Sequence, residues 1–199
     1  ELTIGKIDIG LLNRIIIDDV LLDDQSGKEM LKITRLSAKF DIIPLFNGKI
    51  TISSVQLFGF NINLNKPAPH MEPNFKFVLD AFASKDTVKT KKDIDLRINS
   101  ILIRRGKLSY DVLSEEETPG KFNPQHIKLH NIIANISLKA LQNDSINAAI
   151  KRLSVDEQSG FELRKLSLKV IANNKGMKIE NFAIEMPGTE MKMDTIRME

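Results

Sequence analysis

Apolar side chains alternate with polar ones along almost the whole chain, and the alternation changes phase inside single segments. Residues 50–64 show this most clearly: Ile50 and Ile52, then Val55 and Leu57, then Phe58, Phe60, Ile62 and Leu64. A period of two describes an extended strand with one greasy face. The shifts at Ser53-Ser54 and Leu57-Phe58 predict bulges or short breaks that re-aim that face. The pattern returns near residues 94–112, 127–138, 146–155, 163–172, 177–186 and 191–198. Weaker or denser versions cover 2–9, 15–22 and 30–42, the last through Leu31, Ile33, Leu36, Ala38 and Phe40.

Between these segments lie turn formers. Asp23-Asp24-Gln25-Ser26-Gly27 separates the second and third, Pro44 and Asn47-Gly48 mark a hairpin reversal, and Lys66-Pro67-Ala68-Pro69 stops the fourth. Residues 74–83 are the one helix candidate, because Phe75, Val78, Leu79 and Phe82 recur at helical spacing and Asn74 can cap the start. Such a short helix is expected to cover one end or face of the sheet. Lys85, Lys89, Lys91 and Lys92 make 84–93 a polar linker or loop, and 114–125, with Glu115-Glu116-Glu117 and Pro119-Gly120, a second loop. Arg104-Arg105-Gly106-Lys107 reads as a turn with a basic tip. From 127 onward, turn signals fall at even intervals at 143–144, 158–160, 173–176 and 187–188, the spacing of an antiparallel meander.

The fold class that follows is mainly β: an elongated, curved antiparallel sheet folded over an apolar interior, as a groove or open sandwich, with one short covering helix. Residues 1–83 form an N-terminal unit, 84–93 a linker, and 94–199 a meander continuing the same sheet. Residues 21–39 and 153–169 echo each other through Asp23-Asp24-Gln25-Ser26-Gly27 and Asp156-Glu157-Gln158-Ser159-Gly160, which suggests one hairpin unit used twice.

Composition narrows the chemistry. The chain has 199 residues, 42% of them hydrophobic but only 6% aromatic, and no cysteine, which excludes a disulfide framework and thiolate metal sites. A formal charge of +3 is too mild to argue for nucleic acid. No run approaches the roughly 18–20 apolar residues of a membrane helix. Glu1 leads directly into a strand and Met198-Glu199 ends one, so a longer parent chain is expected.

No catalytic constellation accompanies the strands, and no enzyme, cofactor or metal site is expected. His126 and His130 would lie about 13 Å apart on one strand, too far for one ion, and read as exposed histidines on the polar face. Asp18-Asp19 and Asp23-Asp24 read as solvated turn carboxylates, since their spacing fits neither a glycosidase pair nor a calcium loop. Arg104, Arg105 and Lys107, with Lys89, Lys91 and Lys92, form a basic patch without interleaved aromatics, so base stacking is unsupported. Gly59, between Phe58 and Phe60, eases curvature or close packing.

The apolar strand faces remain. The candidate groove or core residues are Ile50, Ile52, Val55, Leu57, Phe60, Ile62, Leu138, Leu163, Leu166, Leu168 and Val170; the candidate cover-helix residues are Phe75, Val78, Leu79 and Phe82. In a closed sandwich they make a dry core; on an open sheet they line a groove for acyl chains. Periodicity does not separate the two, and the residues alone make dry core the default.

Several segments taken in order resemble a known family. They are Ile7-Asp8-Ile9-Gly10, Asn13-Arg14-Ile15-Ile16-Ile17-Asp18-Asp19-Val20, Leu36-Ser37-Ala38-Lys39-Phe40-Asp41, Gly48-Lys49-Ile50-Thr51-Ile52, Val55-Gln56-Leu57-Phe58-Gly59 and Asn74-Phe75. Their order and spacing resemble the N-terminal region of the AsmA-like and TamB-like envelope proteins, most closely TamB-like proteins of Bacteroidetes. The resemblance implies a long periplasmic parent tethered in the inner membrane by an N-terminal helix. It implies a folded-over sheet with a hydrophobic groove, and a part in phospholipid movement to the outer membrane. It also implies pairing with an Omp85-type outer-membrane protein through a far C-terminal region, and, as an alternative, a scaffold for assembly of outer-membrane β-barrels that holds unfolded chains at sheet edges. No catalytic residues carry over. Phospholipid acyl chains are the expected partner, and nucleic acid is not.

Overall fold

In the computed structural model, which describes residues 1–11, 13–41, 50–83, 94–95, 99–142, 145–173 and 176–198, the alternating segments become strands of one sheet. They are β1 (Leu2–Gly10), β2 (Arg14–Asp23), β3 (Glu29–Phe40), β4 (Ile50–Lys66), β5 (Ile94–Asp95), β6 (Ser100–Val112), β7 (His126–Gln142), β8 (Ser145–Glu157), β9 (Glu162–Asn173), β10 (Gly176–Met186) and β11 (Thr189–Met198). The single helix α1 spans Lys76–Ala83. The sheet order is β1-β2-β3-β4-β6-β7-β8-β9-β10-β11, with β5 pairing the start of β4.

All neighbours on this path are antiparallel except β4 and β6, which run parallel in unbroken register from Ser54 opposite Ser100 to Lys66 opposite Val112. The expectation of a wholly antiparallel sheet is corrected here and at the short β4–β5 pair, which is parallel too. A parallel pair needs a crossover of a dozen or more residues, and the segment carrying α1 supplies it. The reversal expected at Pro44 and Asn47-Gly48, the 84–93 linker and the turn residues 143–144 and 174–175 lie outside the described residues.

The phase slips are the bends of this sheet. Lys39 pairs with Ser54 and Phe40 with Ile52, so Ser53 is an extra residue on β4. Deeper in the sheet, Asp19, Gly59, Arg105 and Asn131 take positive φ values of 53–66° in the middles of β2, β4, β6 and β7. They lie at nearly one level, so a line of kinks crosses the sheet. Each kink rotates the strand by about half a repeat, so Ile15 and Ile17 before Asp19 share a face with Val20 and Leu22 after it. Arg104-Arg105-Gly106-Lys107 is part of this line and not a turn: β6 continues through it, kinked at Arg105. Alternation on both sides of a left-handed residue looks the same in sequence as a hairpin tip.

The crossover is pinned at one end of the sheet by Asn74. Its Oδ1 accepts from the Asn65 amide at 2.9 Å, its Nδ2 donates to the Asn63 carbonyl at 3.1 Å, and its own amide donates to the Asn65 carbonyl at 2.8 Å. Asn74 therefore staples the crossover to β4 and does not cap α1, which starts two residues later. Among the described residues no Cα of α1 lies within 8 Å of a strand Cα. The helix stands at the end, beside the β2–β3 turn, across a hollow of about 360 Å³ lined by Asp24, Ser26, Asn74, Phe77 and Leu113. Leu79 stays 55% exposed. Of Phe82, only the backbone is described.

Candidate functional site: an uncovered apolar face

Reading across the strands, the registers join the apolar positions into rows. One row runs Ile7, Ile17, Leu36, Leu57, Ile103, Ala134, Leu153, Leu166, Ile184, Met191, through ten consecutive strands without a polar residue. The next runs Ile9, Ile15, Ala38, Val55, Ile101, Ile136, Ile150, Leu168. Beyond the kink line, Leu22, Leu31, Ile62, Leu108 and Leu129 form a third. Leu138, Ala148, Val170, Ile179 and Ile196 form a fourth. Nine interstrand spacings make the longest row about 43 Å wide, more than the roughly 30 Å hydrocarbon core of a bilayer.

Most of the candidate groove residues therefore share one face. Val55, Leu57, Ile62, Leu138, Leu166, Leu168 and Val170 stand in these rows; Phe60 pairs with Ile33 and lies over Gly106, and Ile52 pairs with Phe40. Leu163, opposite Val155, is 8% exposed. Ile50 opens β4 opposite Ile94, with only its backbone described.

This face is not a closed core. The described strands form one layer, and among the described residues no side chain falls below 2% exposure. Buried hydrophobic residues are few: Met30, Ile33, Phe60, Val112, Ala134 and Leu163. The chain exposes 13842 Å², where a compact protein of this mass would expose about 9,500 Å². The default of a dry core is overturned for a physical reason: a dry sandwich needs a second layer facing the first, and consecutive strands here extend one sheet sideways.

The opposite face is polar. There the kink line leaves an open hollow of about 790 Å³ lined by Asp18, Asp19, Arg35, Gln56, Phe58 and Arg104 among others. Asp18-Asp19 on β2 and Arg104 on β6, far apart in sequence, thus line one hollow with β3 and β4 between them. Arg35 donates to both carboxylate oxygens of Asp18, at 2.6 and 3.0 Å, and this holds Asp18 below and Arg35 above their ordinary pKa values. Arg105 lies over the Phe58 ring, 5.2 Å from its centroid. Asp18 and Asp19 are strand residues, not turn carboxylates.

Asp24 is likewise no solvated carboxylate. It is 6% exposed, and its Oδ1 accepts from the Ser26 amide (2.8 Å), the Ser26 hydroxyl (2.7 Å) and the Lys28 amide (3.0 Å). Glu157, 5% exposed, does the same work in the β8–β9 turn, accepting from the Ser159 amide at 2.8 Å and from its hydroxyl. Burial disfavours both charges, but the Ser and backbone donors outweigh it, and both pKa values end lowered.

His126 corrects another expectation. Its side chain is 9% exposed, with Nδ1 2.9 Å from Asp111 Oδ1 and Nε2 3.0 Å from the Glu115 carbonyl. Two acceptors on two ring nitrogens describe an imidazolium, and the Asp111 hydrogen bond raises its pKa. The ring ties the 113–125 loop to β6. His130 remains exposed, 3.9 Å from Asp156. Asp111, Glu117 and His126 place one ligand atom each within 4.8 Å of one another. Each already has a partner, for Lys128 Nζ donates to Glu117 at 3.0 Å, so the group accounts for itself as an ion-paired knot. In sequence, the signal for His126 was its position directly before an alternating run, where its cross-strand partner is invisible.

No protein-family model matches the chain, and no curated protein matches it.

Proposed function

We propose that this chain is a non-enzymatic segment of a lipid-conveying envelope protein, and that its apolar face seats phospholipid acyl chains. The observation that carries the reading is the ten-strand apolar row on a single-layer sheet. Each methylene withdrawn from water onto such a face is worth roughly 0.8 kcal/mol, and no residue in the row demands a polar partner. A row wider than a bilayer's hydrocarbon core suits movement along the face better than capture at one point. The family resemblance supports the same reading. On that resemblance the segment would lie in the periplasm, within a parent protein anchored in the inner membrane that supports transport to the outer membrane.

Photo-crosslinking tests this. Benzoylphenylalanine is placed at Leu57, Ile103 or Leu168, with controls at Gln56, Asn135 and Arg152 on the other face, and the chain is incubated with phosphatidylethanolamine–phosphatidylglycerol vesicles. Lipid adducts confined to the apolar positions are expected. Equal labelling of both faces, or intramolecular adducts alone, would overturn the proposal.

A further inference from the structure

The charges of the polar face are handled differently in its two halves. On β9 and β10 the cations are matched across strands, Lys165 with Glu185 at 3.2 Å and Lys169 with Glu180 at 2.7 Å. Around the hollow on β2–β6 they are not. One row of side chains crosses it, Asp18, Arg35, Phe58 and Arg104, each opposite the next. Arg35 is committed to Asp18 through both carboxylate oxygens. Arg104, beyond Phe58, is exposed and meets no acceptor among the described residues, and Arg105 meets only the Phe58 ring. Gln56 and Asp19, which also line the hollow, likewise have no side-chain partner among the described residues.

In sequence no aromatic residue interleaves with Arg104 and Arg105, but the register of β4 and β6 sets Phe58 directly beside them. Phe58 is 39% exposed. It lines the hollow, while Arg105, which does not, lies over its ring. The hollow thus offers a carboxylate at one end, a half-open aromatic ring in the middle and an unpaired guanidinium at the other end.

Each part selects a chemistry. An unpaired guanidinium presents a planar fork of donors that matches a phosphate bidentately. A half-open aromatic ring suits the C–H side of a sugar ring, which leaves water readily while its hydroxyls stay at the rim. Carboxylate and amide side chains, here Asp19 and Gln56, exchange hydrogen bonds with those hydroxyls. Three interstrand spacings, about 14 Å, separate β2 from β6, so the two charged ends do not converge on one ion. The volume of about 790 Å³ falls within the roughly 300–1,000 Å³ of small-ligand sites.

We propose that this hollow binds a phosphorylated saccharide, with its phosphate on Arg104, a sugar ring against Phe58 and hydroxyls on Gln56 and Asp19. Arg35 neutralises Asp18 and so removes one charge that would repel the phosphate. The site lies on the face away from the acyl rows and stands independently of what those rows seat.

Isothermal titration of the chain with glucose 1-phosphate, glucosamine 1-phosphate and maltose 1-phosphate tests this, beside maltose and inorganic phosphate alone. At least one sugar phosphate is expected to bind about tenfold more tightly than either inorganic phosphate or maltose. Arg104→Gln, at an exposed position, is expected to weaken that binding about tenfold, and Phe58→Leu to weaken it too, with circular dichroism unchanged. Arg164→Gln, in the ion pair with Glu162, is expected to leave it intact. Sugar phosphates that bind no more tightly than phosphate alone would overturn the proposal and leave a general anion patch. Binding that survives Arg104→Gln would overturn it as well. Phosphatidylglycerol vesicles that bind through Arg104 while no sugar phosphate does would make this face a membrane contact instead.

Discussion

The units β2–β3–β4 and β8–β9–β10 are built to one plan, and their differences show what each position is for. Both open with a hairpin whose buried carboxylate collects the amide and hydroxyl of the serine two residues on, followed by a left-handed glycine, Gly27 at φ 79° or Gly160 at φ 101°. Both continue into a kinked strand. Val55, Leu57, Gly59, Phe60 and Ile62 occupy the places of Met177, Ile179, Asn181, Phe182 and Ile184. At the kink, Gly59 faces Thr34, whose hydroxyl donates to the Gly59 carbonyl at 3.0 Å, and a Cβ there would sit 2.7 Å from that hydroxyl oxygen. Asn181 takes the same left-handed conformation as the one exposed residue of β10. The backbone requirement is shared, and the space around it decides whether glycine is obligatory.

The strongest way to break the likeness is at Phe60. A Cβ on Gly106 would meet its ring at 2.4 Å and Ile132 Cβ at 3.0 Å, so Gly106→Ala is expected to destabilise by about 3 kcal/mol, read from urea midpoints. Gly59→Ala follows, at about 2 kcal/mol from left-handed strain and the Thr34 clash. Asn181→Gly should move stability by less than about 1 kcal/mol, and equal losses at the two kinks would refute the comparison. Of the turn carboxylates, Asp24→Ala should cost about 2 kcal/mol and Glu157→Ala somewhat less, because Asp24 also accepts from the Asn74 side chain at 3.4 Å and so ties its turn to the crossover. Thermal melts of the pair, run side by side, separate them.

The smallest effect is a pH dependence. Asp24 and Glu157 have lowered folded pKa values, so their contribution is present above the unfolded carboxylate range and is lost as pH falls through the folded values. His126 works in the other direction. Its folded pKa lies above 6.5, so its contribution is complete below that value and is lost as pH rises through the raised one. Asp111, Glu117 and Lys128 are the charged groups beside this ring. Melting temperature should fall on the alkaline side of that window, and His126→Gln should flatten this limb while leaving the acid limb in place.

Strand identity and the bend in β4 were legible because each is a local property. Alternation sets which side chains share a face, and a change of phase marks where a strand kinks, as at Leu57-Phe58; the kinks at Asp19 and Arg105 were read as turns, because a left-handed residue inside a strand and one at a strand end leave the same pattern. The repeated acidic turn was legible for the same reason, since its carboxylate, serine and glycine act within five residues. Partnerships across the sheet were not. Nothing near His126 in sequence announces Asp111, nothing near Asp18 announces Arg35, and Arg104-Arg105-Gly106-Lys107 resembles a turn until β4 and β7 are seen pairing with β6 on both sides of it. The periodic pattern by itself determined that this chain makes strands with one apolar face. Whether that face is dry or open was decided only by tertiary structure, because it depends on where successive strands go. Here each described strand joins the same layer, and among the described residues none returns to cover it.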